Sequence, residues 1–300
     1  MASVGASRSG PSRTDRLADL PFWGVHVAAI VGAVWVGWSW AACWWLIGGY
    51  AVRMFAITAG LHRYFSHRSF KTSRAFQFVL GVLGMTAVQQ GPLWWAAHHR
   101  NHHKHSDEPQ DIHSPVQHGF YRSHIGWIFD ARRHGTDFER IKDFAKYPEL
   151  RFLNRFDTAF VVAIAVLTLI IGGTTALAWG FFVATVVSWH ATFAINSLAH
   201  VWGRRRYTTS DDSRNNVVLA VLTFGEGWHN NHHHYQRAAR QGFFWWELDV
   251  TYYVLKLLEA FRIVWDVAGV PRHVLDGRGA VAPDPVPIAP PVPVAATPSV

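Results

Sequence analysis

The sequence predicts an all-α integral membrane protein: four transmembrane helices in two hairpins, carrying a cytoplasmic, helical, histidine-rich cap. Three observations lead there. Leu20 to Val52 contains no Asp, Glu, Lys or Arg, and its apolar character continues through Arg53 to Leu61. Thr158 to His200 is equally free of charge and is interrupted near its middle by Gly172, Gly173, Thr174 and Thr175. Most of the 19 histidines lie in the polar segments around these two blocks.

Each block is long enough for two crossings of a hydrocarbon core about 30 Å thick, which takes about 20 helical residues per pass. The hairpins are expected at about 20–61 and 157–199. Neither turn holds a Lys or Arg, whereas the N-terminus and residues 62–156 and 200–275 hold many. The bias of cationic loops toward the cytoplasm then places both termini and both long segments on that side. Residues 73–90 (SRAFQFVLGVLGMTAVQQ) read as a helix lying at the membrane boundary, because a further crossing would separate the histidine clusters. The basic start followed by apolar sequence is read as a span and not a cleaved signal, since the apolar run continues well past Ala41. Residues 20–275 thus form one membrane domain. The Ser/Gly/Arg-rich stretch 1–19 and the Pro/Ala/Val-rich stretch 276–300 are expected to be mobile tails.

Composition narrows the chemistry. Half of the 300 residues are hydrophobic and 16 are Trp, yet mean hydropathy is only +0.05, because the polar cap offsets the spans. The single cysteine, Cys43, excludes intrachain disulfides, a Cys-ligated zinc site and an iron–sulfur cluster held by this chain alone. Histidine is left as the metal ligand. The net charge of +8 comes from cations beside the apolar blocks, which fits membrane orientation and not nucleic-acid binding.

The histidines fall into motifs. HRYFSH (62–67) sits where the second span should emerge and offers His62 and His67. Gly91 and Pro92 open a helix, GPLWWAAHHRNHHKH, in which His99, His102 and His103 are spaced i, i+3, i+4 and share a face. GEGWHNNHHH (225–234) repeats the spacing with His229, His232 and His233. NSLAH (196–200) ends the second hairpin with Asn196 and His200 at i, i+4. Imidazole suits iron, copper, zinc and nickel, and one ion rarely takes more than six ligands, so this many convergent histidines imply two ions. His26, His190 and His273 read as ordinary structural residues. His98, His105 and His234 are neighbours of the boxes, and His113, His118, His124 and His134 are likewise discounted. A redox pair with few carboxylates beside a bilayer suits oxygen activation on an apolar substrate. Soluble di-iron bundles use Glu ligands with a pair of Glu-x-x-His motifs, and no such pair appears here.

At HRYFSH, HRNHHKHSD, NSLAH and GEGWHNNHHH, in that order, the chain resembles membrane fatty-acid desaturases of the stearoyl-CoA (Δ9) type. The likeness covers about residues 20–265 and includes SDEPQDIHSPVQHGFYRSHIGW (106–127). It implies two iron ions held by His62, His67, His99, His102, His103, His200, His229, His232 and His233, with Asn196 acting through a water. It further implies molecular oxygen as co-substrate and a fatty-acyl substrate, acyl-CoA being the first choice, that receives a cis double bond. Two electrons would come from a separate donor of ferredoxin, cytochrome b5 or rubredoxin type with its reductase, and the setting would be a bacterial inner membrane. Where animal members have WARDHR, with Arg and Asp at the CoA headgroup, this chain has WAAHHR (95–100). Ala97 and His98 therefore leave acyl-lipid and acyl-carrier protein open as carriers. Lys104, Arg132 and Arg133 are candidate phosphate contacts, Trp95 is a candidate acyl contact, and Leu46 and Tyr50 are expected to close the far end of the acyl site. The rival readings are a hydroxylase or ketolase on the same histidine chemistry, and a membrane metal-binding or transport protein.

Overall fold

The computed structural model describes residues 20–130 and 135–277. The two expected tails, apart from Asp276 and Gly277, therefore lie outside the described residues, as do Arg132, Arg133 and His134. Helix α1 (Leu20–Val36) ends at Gly37, whose φ of 74° no longer suits a helix. Ser39 then caps α2 (Trp40–Phe55) by accepting a hydrogen bond from the Ala42 amide at 3.1 Å. No cap ends α2. It runs on into Ala56–Ser66, where the backbone widens to i→i+5 bonding. Helix α3 (Arg74–Met85) is capped by Ser73, and α4 (Pro92–His105) opens on Gly91 and Pro92 as the sequence predicts.

Helix α5 (Pro148–Arg155) precedes α6 (Asp157–Thr175). Inside α6, Gly173 takes φ 65° and ψ −160°, a non-helical kink at the predicted break. Beyond it the chain passes through a second wide segment, Ala176–Val183, into α7 (Ala184–Ser197) and a short 3₁₀ turn, Leu198–His200. Helices α8 (His229–His234) and α9 (Val250–Ala260) complete the cap. The only sheet among the described residues is an antiparallel pair of two-residue strands, Lys71–Thr72 and Val264–Trp265.

Two continuous helical stretches are long and apolar enough to cross a membrane: Trp40–Ser66 and Asp157–His200, the latter being 44 residues long and divided by the kink at Gly173. α1 is apolar but shorter, at 17 residues. Val34, Trp35, Trp44 and Ile170 point outward, Val34 with 80% and Ile170 with 75% of its surface exposed, so these helices present an apolar belt. The inner packing is close. A Cβ on Gly49 would lie 2.3 Å from the Gly180 carbonyl, so only glycine permits the approach of α2 to the second wide segment. Arg53, buried there, donates to the Gly49 and Gly180 carbonyls at 2.9 Å each.

The main core joins the first wide segment to α3, α4 and α5 through Leu61, Phe65, Leu80, Leu93, Ala96 and Leu153. Beside it Arg63, 1% exposed, donates to Ala239 O (2.7 Å), Asp249 Oδ1 (2.9 Å) and Glu226 Oε1 (3.1 Å). One guanidinium thus ties the first wide segment to the histidine-bearing part of the chain at three points, with both carboxylates buried.

Candidate metal centre

The first box owes its geometry to the wide helix. Residues five apart stand about 140° apart around an α-helix and could not serve one centre. Here the His67 amide donates to His62 O at 3.1 Å, an i→i−5 bond, and the two rings come together with centroids 4.7 Å apart. Such π-type turns are uncommon and gather at functional sites. Nothing in the residue pattern announced this one.

All nine predicted ligands converge in two adjoining groups. His62, His67, His99, His103 and His232 form the first, and His102, His200, His229 and His233 the second, with the candidate ligand atoms of each group within 4.8 Å of one another. Each HxxHH box is shared between them: α4 sends His99 and His103 to one and His102 to the other, and α8 sends His232 to the first and His229 and His233 to the second. The boxes do not point three imidazoles one way, as their spacing suggested. His103 and His233 bring the groups together at a ring separation of 4.4 Å.

The side chains fit a pair of metal ions. In the first group Nε2 atoms face one another at 2.9 to 3.0 Å, as in His62–His232 and His67–His99, and His200 and His229 do so at 3.1 Å in the second. The Nε2 atoms of His102 and His233 are buried without a partner. Two sets of convergent ring nitrogens, with no thiolate, form a donor set for borderline divalent metals.

Carboxylates hold the outer nitrogens, and these are the site residues that the motif pattern did not reveal. Glu226 binds His62 Nδ1 (2.5 Å), Asp111 binds His102 Nδ1 (2.9 Å), Asp107 binds His200 Nδ1 (2.8 Å) and Asp211 binds His233 Nδ1 (2.6 Å). Fixing hydrogen at Nδ1 presents Nε2 to the centre, the usual outer support of metal-bound histidine. The signal lay in view: Asp107 and Asp111 follow the second box closely, Glu226 stands inside GEGWH, and Asp211 lies in the loop after NSLAH. Burial would raise the Asp107 carboxyl, but its bonds to His200, Ser114 and the Asp212 amide bring it down to about 2. Asp111 and Asp211 are likewise held well below the usual carboxylate range against the effect of burial, by His102 and His113 and by His233 respectively. Burial first, then neighbouring imidazoles, push His67, His99, His103, His229 and His232 far below the ordinary histidine value, so they are neutral and ready to ligate. His102 is the exception: burial opposes its charge, but Asp111 raises it.

Several discounted histidines have defined places. His113 pairs with Asp111 at 3.2 Å and packs on His102. His26, His190 and His124 bond in a row that ends on Ser197 Oγ, at 3.2, 3.0 and 2.9 Å, so each has a partner apart from the centre.

A narrow channel made of two small cavities, lined by polar as well as apolar side chains, reaches the groups from one side. A cavity of about 40 Å³ is walled by Met54, Ile57, Thr58, Trp95 and Ile195 and ends on His62, His99, His102 and His229. It shares Trp95, His99, His102, Thr192 and Asn196 with a second cavity of about 60 Å³ that extends past Gln89, Trp94 and Trp127. Trp95 stacks on His99 and its indole N–H donates to Gln89 at 3.0 Å. Asn196 lines both cavities together with His99 and His102. Tyr50 precedes Met54, Thr58 and His62 in a row of four-residue steps, and its hydroxyl donates to Leu222 O at 2.5 Å, next to the channel residue Thr223. Leu46 is one step further out, and neither it nor Tyr50 lines any of these cavities. Ala97 is buried in the core, His98 stacks on Trp94 at the channel, and Lys104 faces a separate groove.

Fold and site together define a helical protein with two adjoining histidine groups suited to metal and an outward-facing apolar belt. Residues 38–261 match the fatty acid desaturase family. The chain is 37% identical to the acyl-CoA C20 Delta5-desaturase of Anemone leveillei, over 85% of this chain and 82% of that protein. It is 38% identical to the sn-1 stearoyl-lipid 9-desaturase of Anabaena variabilis (82% and 91%) and 34% identical to the sn-2 palmitoyl-lipid 9-desaturase of a Nostoc strain (89% and 95%). The chain belongs to the fatty acid desaturase family, and is thus an oxidoreductase of lipid metabolism.

Proposed function

We propose that this chain places a cis double bond, at the Δ9 position, in a saturated fatty-acyl chain, with two iron ions held by the nine histidines, one in each group. The observation that carries this reading is the narrow channel ending on ligands of both groups, which would lay an acyl methylene beside the metals. When bound, the irons supply the activation of dioxygen that removes one hydrogen from each of two adjacent methylenes. The protein's part is positioning: Trp95, Ile57 and Ile195 exclude water from the acyl chain, Tyr50 stands below Met54 as a stop, and Asn196 faces the channel where it would hold a water near the centre. The balance is one acyl chain, one dioxygen, two electrons and two protons giving the alkene and two waters. The electrons come from a separate carrier protein. In this reading the chain crosses four times, α1 and the two limbs of Asp157–His200 lying beside Trp40–Ser66, and the histidine cap lies on the cytoplasmic face of a bacterial inner membrane.

Acyl-CoA is the first choice of carrier, supported by the Anemone relative. Acyl-lipid is the second reading, supported by the cyanobacterial relatives and by Ala97, whose burial leaves it no part in a headgroup site. The test is expression in a desaturase-deficient host, with mass spectrometry of the acyl products and His102→Ala as control. A monounsaturated product that requires oxygen and vanishes in the variant is expected. Hydroxylated product, no oxygen-dependent product, or full activity in the variant overturns the reading. Supplying acyl-CoA or labelled phospholipid to isolated membranes separates the carriers.

A further inference from the structure

A far larger space than the acyl channel lies elsewhere among the described residues. It is an open groove of about 900 Å³ on the other side of the histidine groups, reaching His67 and His103, whereas the channel reaches His62, His99, His102 and His229. Its wall is cationic. Arg100 is already engaged by Asp143, and Lys71 by Asp266. Lys104, Lys146 and Arg237 are exposed, line the groove and have no acidic partner among the described residues. Lys104 lies in α4 directly after His103, and Arg237 lies in the turn three residues beyond the end of α8, so both charges reach the groove from the histidine boxes.

We propose that this groove is the docking surface for an acidic one-electron carrier protein, with His67 and His103 as the point of electron entry. The proposal rests on the desaturase reading, which requires two electrons from outside this chain. Two docking events, each oxidising one reduced carrier by one electron, provide them. The position of the groove argues against the acyl headgroup as occupant, because a headgroup held there would have its tail cut off from the channel by the imidazoles themselves. Its charge and width suit a protein surface, where complementary charge sets encounter and registry.

Binding is measured on the full, iron-free chain in phosphatidylcholine nanodiscs, so docking is read independently of product formation, and failure of the desaturase reading shows separately in the product analysis. The probes are an acidic [2Fe–2S] ferredoxin and cytochrome b5. Lys146→Glu with Arg237→Glu is expected to weaken binding of the better probe by about tenfold or more at about 50 mM salt, the difference closing near 500 mM as screening shortens to a few ångströms. The charge-keeping pair Lys146→Arg with Arg237→Lys is expected to bind like the parent. Unchanged affinity in the Glu pair, loss of affinity in the charge-keeping pair, or no salt-sensitive binding of either probe overturns the assignment. So does a Glu pair that loses binding to phosphatidylglycerol vesicles while keeping its carrier affinity, which would make the groove a headgroup site.

Discussion

At the scale of single residues, the centre depends on pairs of groups. A histidine whose outer nitrogen is held by a carboxylate has one tautomer and one direction, so the carboxylate acts on the metal without touching it. Asp111→Asn is therefore expected to lower iron affinity about 10- to 100-fold while leaving the fold intact, as read by chelator competition and circular dichroism. The nine candidate ligands could be picked out of the sequence because histidine clustered in polar segments at the ends of apolar blocks does little besides bind metal, although only the two HxxHH boxes have helical spacing. Their four carboxylate partners could not, because an aspartate in a polar loop is ordinary until the loop's path is known. Protonation gives a second prediction. Five ligand histidines stay neutral in the fold, while in the unfolded chain they take up protons as pH falls through about 6.5. The unfolded state then binds more protons, so stability rises with pH. The metal-free protein in detergent should lose melting temperature steadily from pH 7.5 to 5.5, with His102, shifted the other way, offsetting only part of the loss.

At the scale of elements, the sequence showed where helices begin better than how they are wound. Gly91–Pro92, Ser73 and the Gly172–Gly173 break all fall where the residue chemistry puts them. The wide segments Ala56–Ser66 and Ala176–Val183 escaped notice because their residues are ordinary helix and core residues, with nothing in their pattern to mark a wider turn. Winding also decides what the acyl end meets. Tyr50 continues the row that runs down from His62 through Thr58 and Met54, so Tyr50→Ala should lengthen the preferred acyl substrate, seen as a shift in product chain length. Leu46→Ala, one step beyond, should have the smaller effect. Unchanged chain-length preference in Tyr50→Ala would remove Tyr50 from the channel's end.

At the scale of the whole molecule, Arg63 is the joint between span and cap. Arg63→Ala strands Glu226 and Asp249 in the interior, and losing one partner of a buried ionic network costs about 3–5 kcal/mol. A large drop in melting temperature is expected, together with iron loss, since Glu226 also holds His62. The apolar belt and the cap could be told apart in the sequence by charge alone, but the joint could not, because it links residues 63, 226 and 249, far apart in the chain. The same architecture bears on the surrounding lipid. The stretches Trp40–Ser66 and, beyond the Gly173 kink, 176–200 run without a loop from the belt to His62 and His200. Helices meet a thinner or thicker bilayer by tilting. Here the tilting rods end in the histidine groups themselves, so bilayer thickness, which acyl unsaturation alters, is mechanically connected to the spacing of the histidines proposed to act on the acyl chain.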